Sequence, residues 1–402
     1  MSNTLVTCTI VAKESLAILQ NMLGFAKNVN RDWEPEYTSN QNRGYSPGAT
    51  IQIKKPPRYT YRAGRVAVPQ ATTETTVSLT LSQGGTDLGF TGLERTVSVQ
   101  QFEQKIQAAV CTVVNEIDRQ GLDIVRLNTF NAVGTVGTPP NTQATALNTI
   151  LAAQQRLDEM GAPRDRQRAL AADPAMNAAL VQGLAGLFNN SSTLGKQYQS
   201  GVYVDSLGLN FAMDQNVVKH TNGAGTASNV NGANQIGSTI TVNATGGGTI
   251  TKGSIVTFVG CNAVNPQSRA NTGSLMQFVI TADVPQGATS LPISPAIVTS
   301  GPFQNVTASP TTGQAFVILG AANATYSCSV AYHRDAYTLA MVPMWAPPGG
   351  KGVIDVSQAS DDGFSVKVTQ YYDPINDQAN MRLDVLFGWA ATYPELSTKI
   401  VA

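Results

Sequence analysis

The residue types that support catalysis or metal binding are sparse in this chain and lie far apart. There are two histidines, His220 and His333. His220 is expected at the edge of a flexible Gly/Asn loop and His333 sits beside Arg334 and Asp335, with no spacing that makes a zinc site. The structural reading is therefore preferred for both. Cys8, Cys111, Cys261 and Cys328 form no CxxC pair, so disulfide and metal readings are weak and a reducing compartment at synthesis is expected. Asp361-Asp362 falls in an expected turn, and GAGTAS at 223–228 misses the dinucleotide fingerprint at its last glycine. No GxSxG, P-loop or HExxH occurs. These residues imply no catalytic site, no metal and no cofactor, so the chain is not expected to be an enzyme.

One concentration of chemistry remains, and it is cationic. Between Tyr37 and Thr73 there are six basic residues (Arg43, Lys54, Lys55, Arg58, Arg62 and Arg65) and no acidic ones. Tyr59 and Tyr61 are interleaved with them, a pattern that nucleic-acid-binding surfaces use. A solvated ribbon whose charges protect an exposed edge from aggregation has the same pattern. So does a basic arm that grips an acidic patch on a partner chain. Residue types alone leave the three readings open. The strands ATIQIKKP, YTYRAGRVAV and TTVSLTLS would carry these charges, with a turn near Ala63-Gly64. Prolines 47, 56, 57 and 69 favour an exposed hairpin over a central sheet.

The element that must organise the chain runs from about Thr96 to Leu127. Phe102, Ile106, Val110, Val113, Ile117 and Ile124 recur at helical spacing, and Ser98 with Gln101 forms a capping-box pattern. Such a helix would be roughly 40 Å long, and Gly121 need not end it. Residues 9–28 form an earlier amphipathic helix, capped by Thr9, with Ala12, Leu16, Leu19, Leu23 and Ala26 on one stripe. ATALNTILAAQQRLDEM is a further helix ended by Gly161 and Pro163, and Asp173-Pro174 starts another through NAALVQGLAGLF.

Residues 222–330 differ in kind. They hold three charges, Lys252, Arg269 and Asp283, and six short alternating runs: STITVNA, GSIVTFVG, LMQFVITADV, TSLPIS, QAFVILG and ATYSCSV. This reads as a small β barrel or sandwich, while a low-complexity linker would fit only 222–235. Beyond it, FSVKVTQYYD and ANMRLDVLFGWAATYPEL return as strands, the last alternating Met381, Leu383, Val385 and Phe387.

Composition narrows the function classes. The 402 residues suffice for two or three domains, and 26 basic residues balance 26 acidic ones. Zero net charge argues against general coating of nucleic acid or anionic membrane. Only 13% of residues are charged, against roughly 25% in ordinary soluble domains, and an interface is one reason for a surface to lose charge. Lys13 and Glu14 interrupt the first apolar stretch, which does not read as a signal peptide. No uncharged apolar run approaches ~20 residues, so no membrane span is expected.

The order of elements, with SLAILQNMLGFAKNVNRDW, IKKPPRYTYRAGR, NAALVQGLAGLFNNSSTLGKQY, MDQNV and YHRDAYTLAMVP, resembles the coat-protein family of phage P22. These are tailed-bacteriophage major capsid proteins, and the resemblance covers almost the whole chain. It implies an α+β, HK97-like major capsid fold with an inserted all-β domain. Residues 1–45 would be the N-arm, 46–75 the extended loop, and 76–135 the peripheral domain with its spine helix. Residues 136–221 and 332–370 would form the axial domain, 222–331 the inserted β-barrel domain, and 371–402 the returning peripheral strand and C-terminus.

The function implied is self-assembly into pentamers and hexamers of an icosahedral shell around double-stranded DNA, bound without sequence-specific contact. The chain would be made in the host bacterial cytoplasm and reside in the virion. Its partners would be itself, a scaffolding protein during assembly and the portal at one vertex, with no membrane. Lys54, Lys55, Arg58, Arg62 and Arg65 are the candidate intersubunit contacts. The insert departs from the family pattern in being nearly uncharged, so salt bridges between inserts of adjacent capsomers do not carry over. The alternative from another class is a carbohydrate-binding adhesin or tail-fibre module, motivated by the charge-poor β segment.

Overall fold

A computed structural model describes residues 12–13, 15, 17, 24–37, 48–67, 69–91, 102–184, 207–345, 353–361, 364–373, 375–376 and 378–402. Most of the helix expected over 9–28, and the Ser98–Gln101 cap, lie outside them. The chain divides into two compact units: Met1–Ile53, Val77–Gly121 and Thr338–Ala390 form the first, and Lys54–Thr76, Leu122–Tyr337 and Ala391–Ala402 the second. The stretch 332–370 is thereby shared between them, with 332–337 in the second unit and 338–370 in the first.

In the first unit, β1 (Thr50–Lys55) and β2 (Thr75–Thr80) pair as a two-stranded sheet. Their alternation turns Ile51, Ile53 and Leu79 inward, where they pack with Tyr37, Ala340 and Ala390. β3 (Ser82–Thr91) follows, and then α1 (Phe102–Asn128). After the second unit the chain returns as β15 (Thr338–Met341), β16 (Val353–Asp361), β17 (Phe364–Asp373) and β18 (Gln378–Ala390). β18 is the centre of this antiparallel sheet. β3 pairs along one of its sides from Gln378↔Thr91 to Phe387↔Ser82, while β17 and β15 share the other. Met381, Leu383, Val385 and Phe387 are buried, as their alternation requires.

The spine α1 buries Val110, Val113 and Ile117, while Ile124 is only half-buried. Past Gly121 the buried positions become Leu122 and Val125. Gly121 lies inside the helix because the indole of Trp389 occupies the place of its side chain: a Cβ there would come within 2.6 Å of the ring. The same indole donates from Nε1 to the Ile117 carbonyl at 3.1 Å and stacks on Phe25 at 5.5 Å between centroids. Asp118, buried on the spine, accepts from the backbone amides of Gly24 and Ala26, both at 2.9 Å. These contacts tie the 3-10 turn Ala26–Asn28 to the spine.

A Gly121→Ala substitution pits a helix-propensity gain of ~1 kcal/mol against overpacking worth about 1–3 kcal/mol. The close contact falls on a ring fixed at both ends, so the expected outcome is net destabilisation of about 1 kcal/mol in urea unfolding. A raised midpoint would show that the ring yields.

The second unit contains β4 (Ala132–Gly134), α2 (Gln143–Glu159), β5 (Arg168–Ala172), α3 (Pro174–Leu184) and β6 (Asn210–Met213). Thr142 and Thr145 cap α2 reciprocally, and Gly161 at φ +79° follows its end. At α3, Asp173 Oδ1 accepts from the Met176 amide at 3.0 Å, with Pro174 at the first helical position, so both helix starts follow the sequence signals. The unit's mixed sheet runs β4-β19-β14-β5-β6, where β14 is Ser329–His333 and β19 is Ser397–Val401. Ala146, Ile150, Ala153 and Leu157 of α2 pack on it with Leu170, Met176 and Ile400.

Residues 222–330 enter and leave this unit together. β7 (Lys219–Thr221) pairs antiparallel with β13 (Thr325–Ser327), and the Asn222 amide donates to the Ala324 carbonyl at 2.9 Å. Between them β8 (Gly237–Thr241), β9 (Ile255–Val264), β10 (Asn271–Ile280), β11 (Ser290–Ile297) and β12 (Val317–Ile318) form a sheet in the order β12-β9-β10-β11-β8. Bridges Val230↔Val242 and Asn229↔Ala315 join its two edges through residues 229–230, which closes the sheet into a barrel. Residues 226, 229 and 230 thus belong to the folded structure, which removes the linker reading for 222–235. The barrel core centres on Phe258, Phe278 and Phe316 and is completed by Phe130 and Met160 from outside the segment.

Candidate assembly interface

Since Lys54–Thr76 belongs to the second unit, the basic loop is described against that unit. It forms no continuous hairpin. Among the described residues there is no ladder between Lys55 and Thr75, so the strand expected in YTYRAGRVAV is absent from residues 59–67. Pro56, Pro57 and Pro69 lack the amide donors a ladder needs. Side chains hold the two arms together instead. Gln70 Oε1 accepts from the Thr60 amide at 2.8 Å, its Nε2 donates to the Thr60 carbonyl at 2.7 Å, and Tyr59 pairs with Thr72 at 3.0 Å. Gly64 turns the tip at φ +96°.

The five candidate contact residues occupy two different settings. Near the root, Lys54 pairs with Glu74 at 3.0 Å, exposed to solvent. The Lys55 ammonium lies 4.9 Å from the Tyr393 ring centroid, and burial lowers its pKa. Arg58 pairs with Glu395 at 3.3 Å and lies 5.8 Å from the Phe303 ring. Toward the tip, Arg62 bends back onto the Gly64 and Val66 carbonyls, and Arg65 is exposed. Tyr61 is 92% exposed and Val66 79%, so the tip presents an aromatic and an aliphatic group beside its cations. Sequence reasoning singled out the charges and Tyr61 but missed Val66, whose exposure depends on the missing ladder.

The two histidines are structural neighbours of charge. His333 is buried, with Nε2 at 3.1 Å from Asp165. His220 lies in β7 and is buried, not on a flexible loop edge, because the β7–β13 pair encloses it. Arg126 Nη1 lies 3.5 Å from His220 Nδ1 and can only donate, which leaves Nε2–H to donate to Ser254 at 3.2 Å. The ammonium of Lys399, fully buried, donates to the Arg126 carbonyl in the last turn of α1 at 2.7 Å. Burial, with the Lys399 and Arg126 charges, lowers the His220 pKa from 6.5 to about 4. Burial lowers the Lys399 pKa to about 8. No group of three or more potential metal ligands occurs among the described residues, and none of their helices is long and apolar enough to cross a membrane.

His220 is neutral in the fold and binds a proton more readily when unfolded. Its contribution is therefore fully present above pH 6.5 and lost as pH falls toward 4, by up to about 3 kcal/mol. His220→Asn is expected to flatten this slope in urea midpoints measured across that window. An unchanged slope would exclude His220 as its source.

This α+β chain, with a long spine helix, a strand-rich unit around β18, a mixed sheet packed with helices and a β barrel between β7 and β13, fits the HK97-like major capsid fold of the family and the phage structures it is similar to. The model of the family described as "P22 coat protein - gene protein 5" matches residues 1–399, and the chain belongs to that family. Among solved structures, one titled "Mycobacterium phage Che8" is similar at 13% identity and TM-score 0.50, over 94% of this chain and 90% of that one. The "Asymmetric unit of bacteriophage PhiM1 mature capsid" is similar at 10% identity and TM-score 0.43, over 88% and 82%. No match is found among curated protein sequences. The protein is a major capsid protein that assembles with itself into an icosahedral shell and forms part of the virion; the adhesin alternative is not favoured.

Proposed function

We propose that the tip of the basic loop docks on an adjacent subunit of the shell, and that shell-building, not turnover, is the protein's whole activity. The supporting observation is the exposure of Tyr61 and Val66 beside Arg62 and Arg65 on a projection without a backbone ladder. An exposed aromatic, an aliphatic group and arginines suit a contact that excludes water at its centre. Isolated two-stranded ribbons are marginal, so a partner surface supplies burial that the loop lacks. Heterologous contacts of this kind close as rings, giving pentamers and hexamers. Many weak contacts per subunit then permit correction of errors before the whole shell becomes stable.

In this reading the shell encloses double-stranded DNA without sequence-specific contact. A scaffolding protein acts during assembly, the portal occupies one vertex, and synthesis takes place in the host cytoplasm. Residues 1–45 serve as the N-arm and 46–75 as the extended loop. The spine to Gly121 with the sheet of β3 and β15–β18 serves as the peripheral domain, and the mixed sheet β4-β19-β14-β5-β6 with α2 and α3 as the axial domain, so 338–370 moves to the former and 391–402 to the latter. The 222–331 barrel serves as an inserted domain able to fold alone. An isolated 222–331 fragment is expected to give dispersed amide signals by NMR, although it lacks the Phe130 and Met160 contacts; a random-coil spectrum would count against autonomy.

The loop reading is tested by reversing Arg62 and Arg65 to glutamate together, because a single exposed ion pair is worth only ~0–1 kcal/mol. Sedimentation is expected to show strongly reduced shell formation with the subunit's circular dichroism unchanged. Aggregation without an assembly defect would favour the protective reading, and normal shells with poor DNA retention the nucleic-acid reading.

A further inference from the structure

The nearly uncharged barrel segment spends one of its three charges on the loop. Arg269 Nη2 donates to the Tyr59 carbonyl at 2.9 Å and to the Pro302 carbonyl at 3.4 Å. The residue holds a left-handed backbone conformation, φ +57°, which non-glycine residues adopt at a cost. The turn that carries it is built by Asn265, whose Oδ1 accepts from the Gln267 and Ser268 amides and whose backbone carbonyl accepts from the Arg269 amide. Asn265 Nδ2 in turn donates to the Glu159 carbonyl at the end of α2, at 3.0 Å. The guanidinium is therefore aimed from a turn fixed to the helical part of the unit.

A second support reaches the loop from the chain's last stretch. Tyr393 lies under the Lys55 ammonium, and Glu395, in the 3-10 turn Pro394–Leu396, pairs with Arg58. The Phe303 ring approaches Arg58 from the barrel side. Between these supports lies a cavity of about 520 Å³, with Phe130, Met160, Met276 and Pro295 in its walls and Lys55 and Glu395 also lining it. The root is thus held from two directions at its backbone and at its cations, while the tip beyond Thr60 touches neither support through any of these contacts.

We infer that Arg269 of the barrel and Glu395 of the C-terminal turn are positioning residues for the basic loop. Together they brace its root, so that the tip is presented in a fixed direction. The barrel's role in assembly is then internal to the subunit: it aims a contact element. This inference rests on the reading of the loop as a docking element for its consequence in assembly, but the brace itself is a property of the free subunit. Lys55 and Arg58 belong with the brace, and Tyr61, Arg62, Arg65 and Val66 with docking.

The test uses the full chain with Arg269→Asn, which tolerates the left-handed backbone but is too short to reach the Tyr59 carbonyl, and separately Glu395→Gln. Hydrogen–deuterium exchange of the free subunit is the primary readout. Both variants are expected to exchange several-fold faster at loop amides 58–72, with the barrel strands β9 and β10 unchanged, and to assemble more slowly. Unchanged loop exchange in both variants would overturn the brace. Faster loop exchange with normal assembly would uphold the brace and count against the docking reading instead. Exchange accelerated throughout the barrel in Arg269→Asn would be a folding defect, and Glu395→Gln, outside the barrel, then decides: unchanged loop amides there overturn the proposal.

Discussion

The structure depends on how one helix is held along its buried face and at its C-terminal end. A 27-residue helix gains little from propensity alone and is stabilised mainly by what packs on it. In the first unit, Trp389 fills the notch at Gly121 and bonds the Ile117 carbonyl, while Asp118 holds the backbone at Gly24 and Ala26. In the second unit, Lys399 caps the last turn. Its ammonium is buried with a lowered pKa and a backbone carbonyl as hydrogen-bond partner, so the cap carries a desolvation cost that surrounding packing offsets. Removal of the Asp118 carboxylate would leave the buried Ala26 amide without its acceptor, and such groups are costly.

The second unit gathers the end of α1, the chain's last strand and the entrance of the barrel segment around His220, Arg126 and Lys399. The same unit holds the basic loop by its root. A shell protein needs contact elements that remain unsatisfied in the free subunit yet point in a defined direction. In the loop, cations and carbonyls at the root are used within the chain and apolar side chains at the tip are left in water.

Much of the fold was legible in the sequence, where a local signal determined the outcome. Asp173-Pro174 started a helix as its cap chemistry requires, Gly161 followed the end of another, and Met381 to Phe387 alternated into a buried strand. The barrel's strands were visible as alternating runs, but its closure through residues 229–230 was not, because two isolated bridges leave no periodic trace. The loop's cations were visible by composition. Their division into root and tip was not, since it depends on Glu395, Tyr393 and Arg269, more than 200 residues away in sequence. His220 was misplaced for the same reason: its flanking Gly/Asn residues suggest a loop, and only the distant pairing with Tyr326 buries it.

The central claim is that the loop leaves its own chain at the tip and is held by it at the root. Cryo-electron microscopy of assembled shells at side-chain resolution measures this directly. The account predicts density for Tyr61–Val66 seated on a neighbouring subunit, with Arg58 still on Glu395 and Arg269 still on the Tyr59 carbonyl. A tip folded onto its own subunit or facing the shell's interior, away from any neighbour, would contradict it.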